Sequence, residues 1–283
     1  MRCAFASFNG HGRGRPFARR ARMTRVTRSI LIALGGVWLA VAAVKAQTQA
    51  PHVSPGGLAN GAHFGFRVAP GAIISIFGER LASSTETARG TPLPKVLGGA
   101  RVTMGGIDLA LFYVSPGQIN AQLPFELQHR STTDLRVSVD GLSSESMAVI
   151  LGSVAPGIFI VGQGSTAVGA ILRARDSSLV TPANAVSRGE SITIFAIGLG
   201  PVAPQPPSGS AAGAAPLSWT VQVPTVFIGG VVAPVSYYGL APGFVGLYQV
   251  NAEVPAQAPA GDAAPLVLRV ASVSSNTVRL AVR

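Results

Sequence analysis

The sequence contains the same pattern twice. Gln118–Pro124, Q-I-N-A-Q-L-P, returns as Q-V-N-A-E-V-P at Gln249–Pro255, and Gly71–Leu81 aligns without a gap on Gly189–Leu199. Three shorter matches occur in the same order: Gly105-Gly106 with Gly229-Gly230, Phe112-Tyr113 with Tyr237-Tyr238, and Pro116-Gly117 with Pro242-Gly243. Matches that recur in one order at one approximate spacing indicate a duplicated unit of about 100 residues.

Each unit has the alternation of a β-strand. Ile74 and Ile76 in the first unit, and Ile192 and Ile194 in the second, are two residues apart, so each pair points to one face of its strand. We expect these faces to lie in the cores. The opposite faces carry hydroxyl side chains and are predicted to be solvated; they hold Ser75, Ser191 and Thr193.

Turn signals separate the short strands. The Gly-Gly pairs suit tight hairpins, which require positive φ, and the Pro-Gly pairs mark the next turns. No segment of the repeats has convincing helical periodicity. Short strands, regular turns and about 100 residues per unit predict an all-β protein of two tandem immunoglobulin-like β-sandwiches after an N-terminal signal peptide.

The pattern divides the chain into five segments. We predict a signal peptide at 1–46, a flexible lead-in at 47–61, the first immunoglobulin-like repeat at 62–155, a connecting β-hairpin at 156–181 and the second repeat at 182–283. The lead-in is rich in Pro, Gly and Ala and has no periodicity. A Pro/Gly/Ala/Ser loop, Gln205–Pro216, interrupts the second repeat.

The first 46 residues have the composition of an export signal. They hold eight arginines, one lysine and no acidic residue, and a 15-residue apolar run, Ile30–Val44, precedes Ala46. That run is short for a membrane-spanning helix, which needs about 20 apolar residues. We therefore expect cleavage and export to the periplasm, the cell surface or the medium. Contact with the membrane is expected only through this segment, if it is left uncleaved.

Charge and cysteine content exclude several classes of protein. Without the leader the chain has 13 basic and 11 acidic residues, so no dense basic patch for nucleic acid remains. Cys3, the only cysteine, lies in the leader, which leaves no disulfide or thiolate metal site. We find no motif for catalysis, a cofactor or a metal: His52, His63 and His129 lack zinc-site spacing. The sequence predicts a protein that is not an enzyme.

The repeat resembles a known family. The strings V-A-P-G-A-I-I-S-I-F-G, L-F-Y-V-S-P-G-Q-I-N-A-Q-L-P, A-P-G-I-F, G-L-G-P-V and A-P-G-F-V-G-L-Y-Q-V-N-A-E-V-P are similar to the uncharacterised C-terminal domain family abundant in Solibacter and related acidobacteria. The resemblance covers Val68–Arg283. Each repeat also resembles, more distantly, an IPT/TIG immunoglobulin-like domain. The resemblance implies a fold and an exported location, and it implies no chemistry.

Five side chains are candidates for ligand binding. They are Gln118 and Asn120, their echoes Gln249 and Asn251, and Trp219, the only tryptophan outside the leader. Paired amides on one strand face can bind sugar hydroxyls, or they can bond the backbone of a crossing loop and fix the strand. Their recurrence in both repeats favours the structural duty, whereas an exposed Trp219 would favour sugar binding.

Three hypotheses about function follow. The first is an exported interaction, adhesion or scaffolding protein whose partner is a protein or a polysaccharide at the cell surface. The second is a carbohydrate-binding module acting on extracellular polysaccharide, which a row of exposed aromatic residues would favour. The third is an enzyme with an unrecognised site, which convergent titratable groups in a cleft between the repeats would favour.

Overall fold

The computed structural model describes residues 49–283, and the signal segment predicted at 1–46 lies outside them. The described chain is all-β and forms two immunoglobulin-like β-sandwiches. Between residues 49 and 283 the only helical turns are two 3-10 segments, Phe125–Leu127 and Gly164–Thr166. The alternation and the turn signals of the sequence therefore predicted the fold class correctly.

The first repeat consists of two sheets. Its strands are β1 (His52–Asn60), β2 (Ile73–Glu79), β3 (Glu86–Thr87), β4 (Val96–Leu97), β5 (Ala100–Met104), β6 (Ile107–Asp108), β7 (Ala110–Ser115), β8 (Gln118–Gln122), β9 (Thr132–Val139), β10 (Leu142–Ser143) and β11 (Met147–Ile150). One sheet has the order β1-β2-β8-β7-β3. The other has the order β10-β9-β5-β4, with β11 paired to β9 and β6 to β5.

The second repeat has the same plan. Its strands, with those leading into it, are β12 (Gly157–Ile158), β13 (Ile160–Val161), β14 (Val168–Gly169), β15 (Ile171–Arg173), β16 (Ser191–Ile197), β17 (Val202–Ala203), β18 (Trp219–Thr220), β19 (Thr225–Ile228), β20 (Val231–Ala233), β21 (Val235–Leu240), β22 (Tyr248–Glu253), β23 (Gly261–Val270), β24 (Val273–Ser274) and β25 (Val278–Val282). One sheet has the order β12-β16-β22-β21-β18-β17, with β15 also on β16. The other has the order β20-β19-β23-β24, with β25 on β23.

The two repeats match in register. Ile74 pairs with Ala121 and Ile192 pairs with Ala252, so the echoed strands β8 and β22 lie beside equivalent strands. Tyr113 lies opposite Asn120, and Tyr237 lies opposite Asn251. Tyr113 therefore corresponds to Tyr237, one residue away from the match made in the sequence. In both repeats the strand skips one residue at a bulge just before this tyrosine.

Both repeats begin earlier than the sequence predicted. The segment 47–61 is not a flexible lead-in throughout, because β1 within it pairs with β2. In the second repeat, β15 pairs with β16 in the equivalent place. The segment predicted as a connecting hairpin does turn back on itself, with Leu172 opposite Leu179, but β15 also extends the sheet of the second repeat.

The four predicted core isoleucines are fully buried in two separate apolar clusters. Ile74 and Ile76 pack with residues from both sheets of the first repeat, and Ile192 and Ile194 do so in the second. The opposite face follows the prediction less closely. Ser191 is exposed and Thr193 half-buried, but Ser75 is only 3% exposed, so this face of the first sheet is not solvated at that point.

An aromatic side chain joins the two repeats. Phe125 belongs to the first repeat, yet it is 1% exposed and packs in the core cluster of the second. The Phe125 ring occupies the space that a side chain on Gly71 would need: a Cβ at Gly71 would be 2.2 Å from the ring. Gly71 has a φ of +82°, which glycine adopts without strain. Its counterpart Gly189 has nothing within 4 Å of the same position.

Hydrogen bonds reinforce this contact. The Gly209 backbone N–H, in the loop of the second repeat, donates to Gln122 Oε1 at 2.6 Å. The Ser208 hydroxyl accepts from the Phe125 N–H at 2.9 Å and donates to Glu126 at 2.7 Å. The predicted loop Gln205–Pro216 thus lies against the first repeat and connects the two sandwiches.

Replacement of the core isoleucines tests the register. Ile192→Ala should lower the free energy of unfolding by about 2–5 kcal/mol, and Ile74→Ala by a similar amount, because each removes a fully buried side chain. Urea unfolding measures both. Val232→Ala is the control, since Val232 is 58% exposed and its truncation should cost less than about 0.5 kcal/mol. Losses below 1 kcal/mol at both isoleucines would contradict the assigned register.

Replacement of Phe125 tests the contact between the repeats. Phe125→Ala should cost about 3–5 kcal/mol, because it leaves a cavity in the core of the second repeat. We also expect calorimetry to resolve two transitions in this variant and one in the unmodified protein. Phe66→Ala is the matched control, since Phe66 is 79% exposed. A Phe125→Ala protein as stable as the control would show that the aromatic contact does not couple the repeats.

Candidate functional site

The second repeat has a groove on the outer face of one sheet. It has a volume of about 330 Å³ and is lined by Leu217, Trp219, Tyr237, Pro242, Gln249 and Asn251. Gln249 and Asn251 alternate along β22 with the buried Val250 and Ala252, so period two places both amides outside the core. The groove therefore contains three of the five candidate residues predicted from the sequence.

Trp219 gives the groove an exposed aromatic surface. The indole is 38% exposed, and its ring centroid is 4.8 Å from that of Tyr237 and 5.2 Å from that of Tyr238, both edge-to-face. The Tyr237 hydroxyl donates to the Leu240 carbonyl at 2.7 Å, and burial raises the pKa of this hydroxyl. The tyrosines thus hold the indole in a fixed orientation while leaving part of it in solvent.

The amides of the groove form a small network. Asn251 Oδ1 accepts from Gln249 Nε2 at 3.0 Å and from the Thr193 hydroxyl at 3.2 Å. Asn251 Nδ2 and Gln249 Oε1 make no hydrogen bond to another described residue. Because the two residues are half-buried and line the groove, a donor and an acceptor remain available beside the indole.

The first repeat contains the same network without the tryptophan. Asn120 Oδ1 accepts from Gln118 Nε2 at 2.8 Å and from the Ser75 hydroxyl at 3.0 Å. The strand that corresponds to β18 is β3. β3 pairs with the part of β7 that follows its bulge, and β18 pairs with the part of β21 that follows the equivalent bulge. Strand β3 carries Glu86 and Thr87 and has no aromatic residue. Gln118 and Asn120 therefore lie apart from Trp219, in the other sandwich.

The structural duty predicted for the amides takes a different form. We expected buried amides bonded to backbone groups, but all four are half-buried and bond to side chains on their own or the neighbouring strand. Each asparagine oxygen accepts from the glutamine two residues earlier on its own strand and from a hydroxyl on the neighbouring strand, so no crossing loop is required. Their role in ligand binding stays a prediction.

Two further aromatic residues of the second repeat, Tyr248 and Phe244, lie in different environments. Tyr248 is fully buried and its hydroxyl donates to the Gly200 carbonyl at 2.6 Å, so it is part of the core; burial raises its pKa. Phe244 is 44% exposed but does not line the groove. Sequence analysis did not single out Leu217 or Pro242 as ligand-binding candidates, although Pro242 belongs to a recognised Pro-Gly turn.

A second depression lies on the outer face of the other sheet of the second repeat. It has a volume of about 440 Å³ and its lining includes Phe227, Val267 and Arg269. The Arg269 guanidinium lies 4.8 Å from the centre of the Phe227 ring, a cation–π contact, and Arg269 Nε donates to the Ser274 hydroxyl at 3.4 Å. These contacts account for the arginine on an exposed sheet.

The most buried ion pair among residues 49–283 has a structural position. Arg173 on β15 donates from Nε and Nη2 to the two carboxylate oxygens of Glu190, both at 2.6 Å, and from Nη1 to Asn184 at 2.7 Å. The Ser187 N–H donates to the same carboxylate at 3.0 Å. Hydrogen bonding from Arg173 lowers the pKa of Glu190 from 4.5 to about 2. The pair fastens β15 to the segment before β16.

Residues 49–283 contain neither a metal-binding cluster nor a membrane-spanning helix. No three His, Cys, Asp or Glu side chains of this part lie close enough together to hold a metal ion. The same part has no helix that is long and apolar enough to cross a membrane.

Comparisons with known proteins give only distant similarities. No family model and no curated protein match the chain. Among solved structures, domains 5–6 of the S-layer protein SbsC share 16% identity, with 82% of this chain and 98% of that one covered and a TM-score of 0.24. The I9–I11 tandem of titin shares 10% identity, with 82% of this chain and 65% of that one covered and a TM-score of 0.20. The C-terminal domain of the Streptococcus agalactiae AgI/II polypeptide BspA shares 12% identity, with 77% of this chain and 95% of that one covered and a TM-score of 0.17. TM-scores this low do not indicate a shared function.

The Glu190 carboxylate gives a prediction about pH. Its pKa is lower in the folded protein, so it stabilises the fold above pH 4.5, and this contribution is lost as the pH falls towards 2. Glu190→Gln should therefore be less stable than the unmodified protein at pH 7, and the difference should shrink between pH 4.5 and 2. Urea unfolding across this range measures it. Glu253→Gln, at an exposed position, is the control; a Glu190→Gln deficit independent of pH would contradict the assignment.

Proposed function

We propose that this chain is an exported, non-enzymatic interaction module, of an adhesion or scaffolding type, that acts at the cell surface or outside the cell. The observation that carries the proposal is the exposed indole of Trp219, held by two tyrosines above a sheet face. Tryptophan and tyrosine supply much of the binding energy at interfaces, and a fixed side chain loses little entropy when a partner binds.

The joined sandwiches support this role. The two cores are connected by Phe125, Gln122 and the loop of the second repeat. A force applied to one repeat by a bound partner is therefore transmitted to the other through packed side chains. The most buried ion pair among residues 49–283, Arg173 with Glu190, fastens a strand, which favours a scaffold over acid–base chemistry. The export part of the proposal rests on the basic and apolar leader in the sequence.

A second candidate is narrower, namely a carbohydrate-binding module that acts on extracellular polysaccharide. The groove favours it, because Trp219 lies with two amide side chains on one concave surface. Sugar sites need an apolar surface for the ring and polar groups for the hydroxyls, and this groove supplies both. A protein partner would use the indole in the same way but would not require the unpaired amide atoms.

Replacement of Trp219 tests whether the groove is the interaction site. Trp219→Ala should reduce retention on isolated bacterial envelopes or on insoluble polysaccharides at least about tenfold, since it removes the central aromatic contact. Phe244→Ala is the matched control: Phe244 is also a partly exposed aromatic residue of the second repeat, and it lies outside the groove. Thermal unfolding of both variants checks that the fold is kept. Equal retention of the two variants would contradict the assignment of the groove.

A further inference from the structure

The groove of the second repeat presents one hydrogen-bond donor and one acceptor side by side. Asn251 Oδ1 is saturated by Gln249 and Thr193, which fixes the orientation of both amides. The remaining amide atoms, Asn251 Nδ2 and Gln249 Oε1, make no hydrogen bond within residues 49–283. A ligand that fits them must offer an acceptor beside a donor.

Two neighbouring hydroxyl groups match this pair. A hydroxyl can donate and accept, so one hydroxyl of a vicinal diol donates to Gln249 Oε1 while the next accepts from Asn251 Nδ2. The amides are already ordered by their mutual bond and by Thr193. Little rotamer entropy is therefore lost when the diol binds.

Trp219 supplies the other half of a sugar site. The C–H face of a pyranose ring is apolar and packs on an aromatic face, whereas the ring edge carries the hydroxyls. The lining side chains of the groove are apolar, aromatic or amide, and none of them is charged. A neutral ring is thus preferred over a uronic acid, whose carboxylate would find no cation there.

We infer that this groove binds a neutral pyranose residue of a polysaccharide, with Gln249 and Asn251 on a vicinal diol and Trp219 on the ring face. The inference rests on the proposed interaction function, and it names the partner class of the same site. It also predicts that only the second repeat binds. The first repeat has the amide network of Gln118 and Asn120, but β3 brings no aromatic ring to it.

The duplicated network provides a control within the same chain. Asn251→Ala should weaken binding to a neutral insoluble polysaccharide about tenfold, the effect of about one hydrogen bond to a ligand, and Asn120→Ala should leave binding unchanged. Both substitutions remove an amide that joins a hydroxyl and a glutamine, so their structural consequences are similar. A pull-down on the insoluble polymer measures binding, and thermal unfolding measures the structural effect separately. Equal binding by the two variants overturns the inference.

Chemical treatment of the polymer tests the diol directly. Periodate cleaves the carbon–carbon bond of vicinal diols. The protein without substitutions should therefore bind untreated polysaccharide and should not bind periodate-treated polysaccharide. Unchanged retention after periodate overturns the diol assignment. Envelope binding that depends on Trp219 but is abolished by protease treatment also overturns the sugar inference, while it keeps the interaction function. If the unmodified protein binds neither envelopes nor polysaccharides, the proposed function itself fails.

Discussion

The insertion of Phe125 into the core of the second repeat is the contact on which the arrangement of the two sandwiches depends. Two sandwiches linked only by a connector would be free to reorient, whereas a buried aromatic shared between them cannot move without opening a cavity. Gly71 makes the contact possible, since a side chain there would meet the ring. The second repeat is therefore not independent of the first, because its core is complete only when the first repeat is folded.

The same interface positions the groove. Ser208 and Gly209 hold one loop of the second repeat against the first, and the chain then runs on to Leu217 and Trp219. The docked loop thus restrains the strand that carries the indole. The contact between repeats and the candidate binding surface are therefore parts of one structural unit.

The sequence predicted the elements whose residues recur in both repeats, and it did not place the equivalent edge strands β1 and β15 in the two sandwiches. Ile74 and Ile192 could be assigned to cores because the alternation is strict and is repeated. Strands β1 and β15 could not be found by comparison, because an edge strand pairs on one side only and its residues did not stay similar. The candidate amides were identified by the echo, but their side-chain partners depend on cross-strand register, which places Ser75 opposite Asn120 and Thr193 opposite Asn251.

The echoed strand shows how a duplicated element acquires separate uses. Its first two amides make the same network in both repeats. The third position has diverged: Gln122 is buried and holds Gly209 across the interface, whereas its counterpart Glu253 is exposed. A glutamate buried at position 122 would place a charge in an apolar interface, and an interface amide at 253 would have no loop to bind. One copy of the strand therefore serves assembly, and the other is free to line a groove, where the arrival of Trp219 on β18 turns a structural amide network into a candidate ligand site.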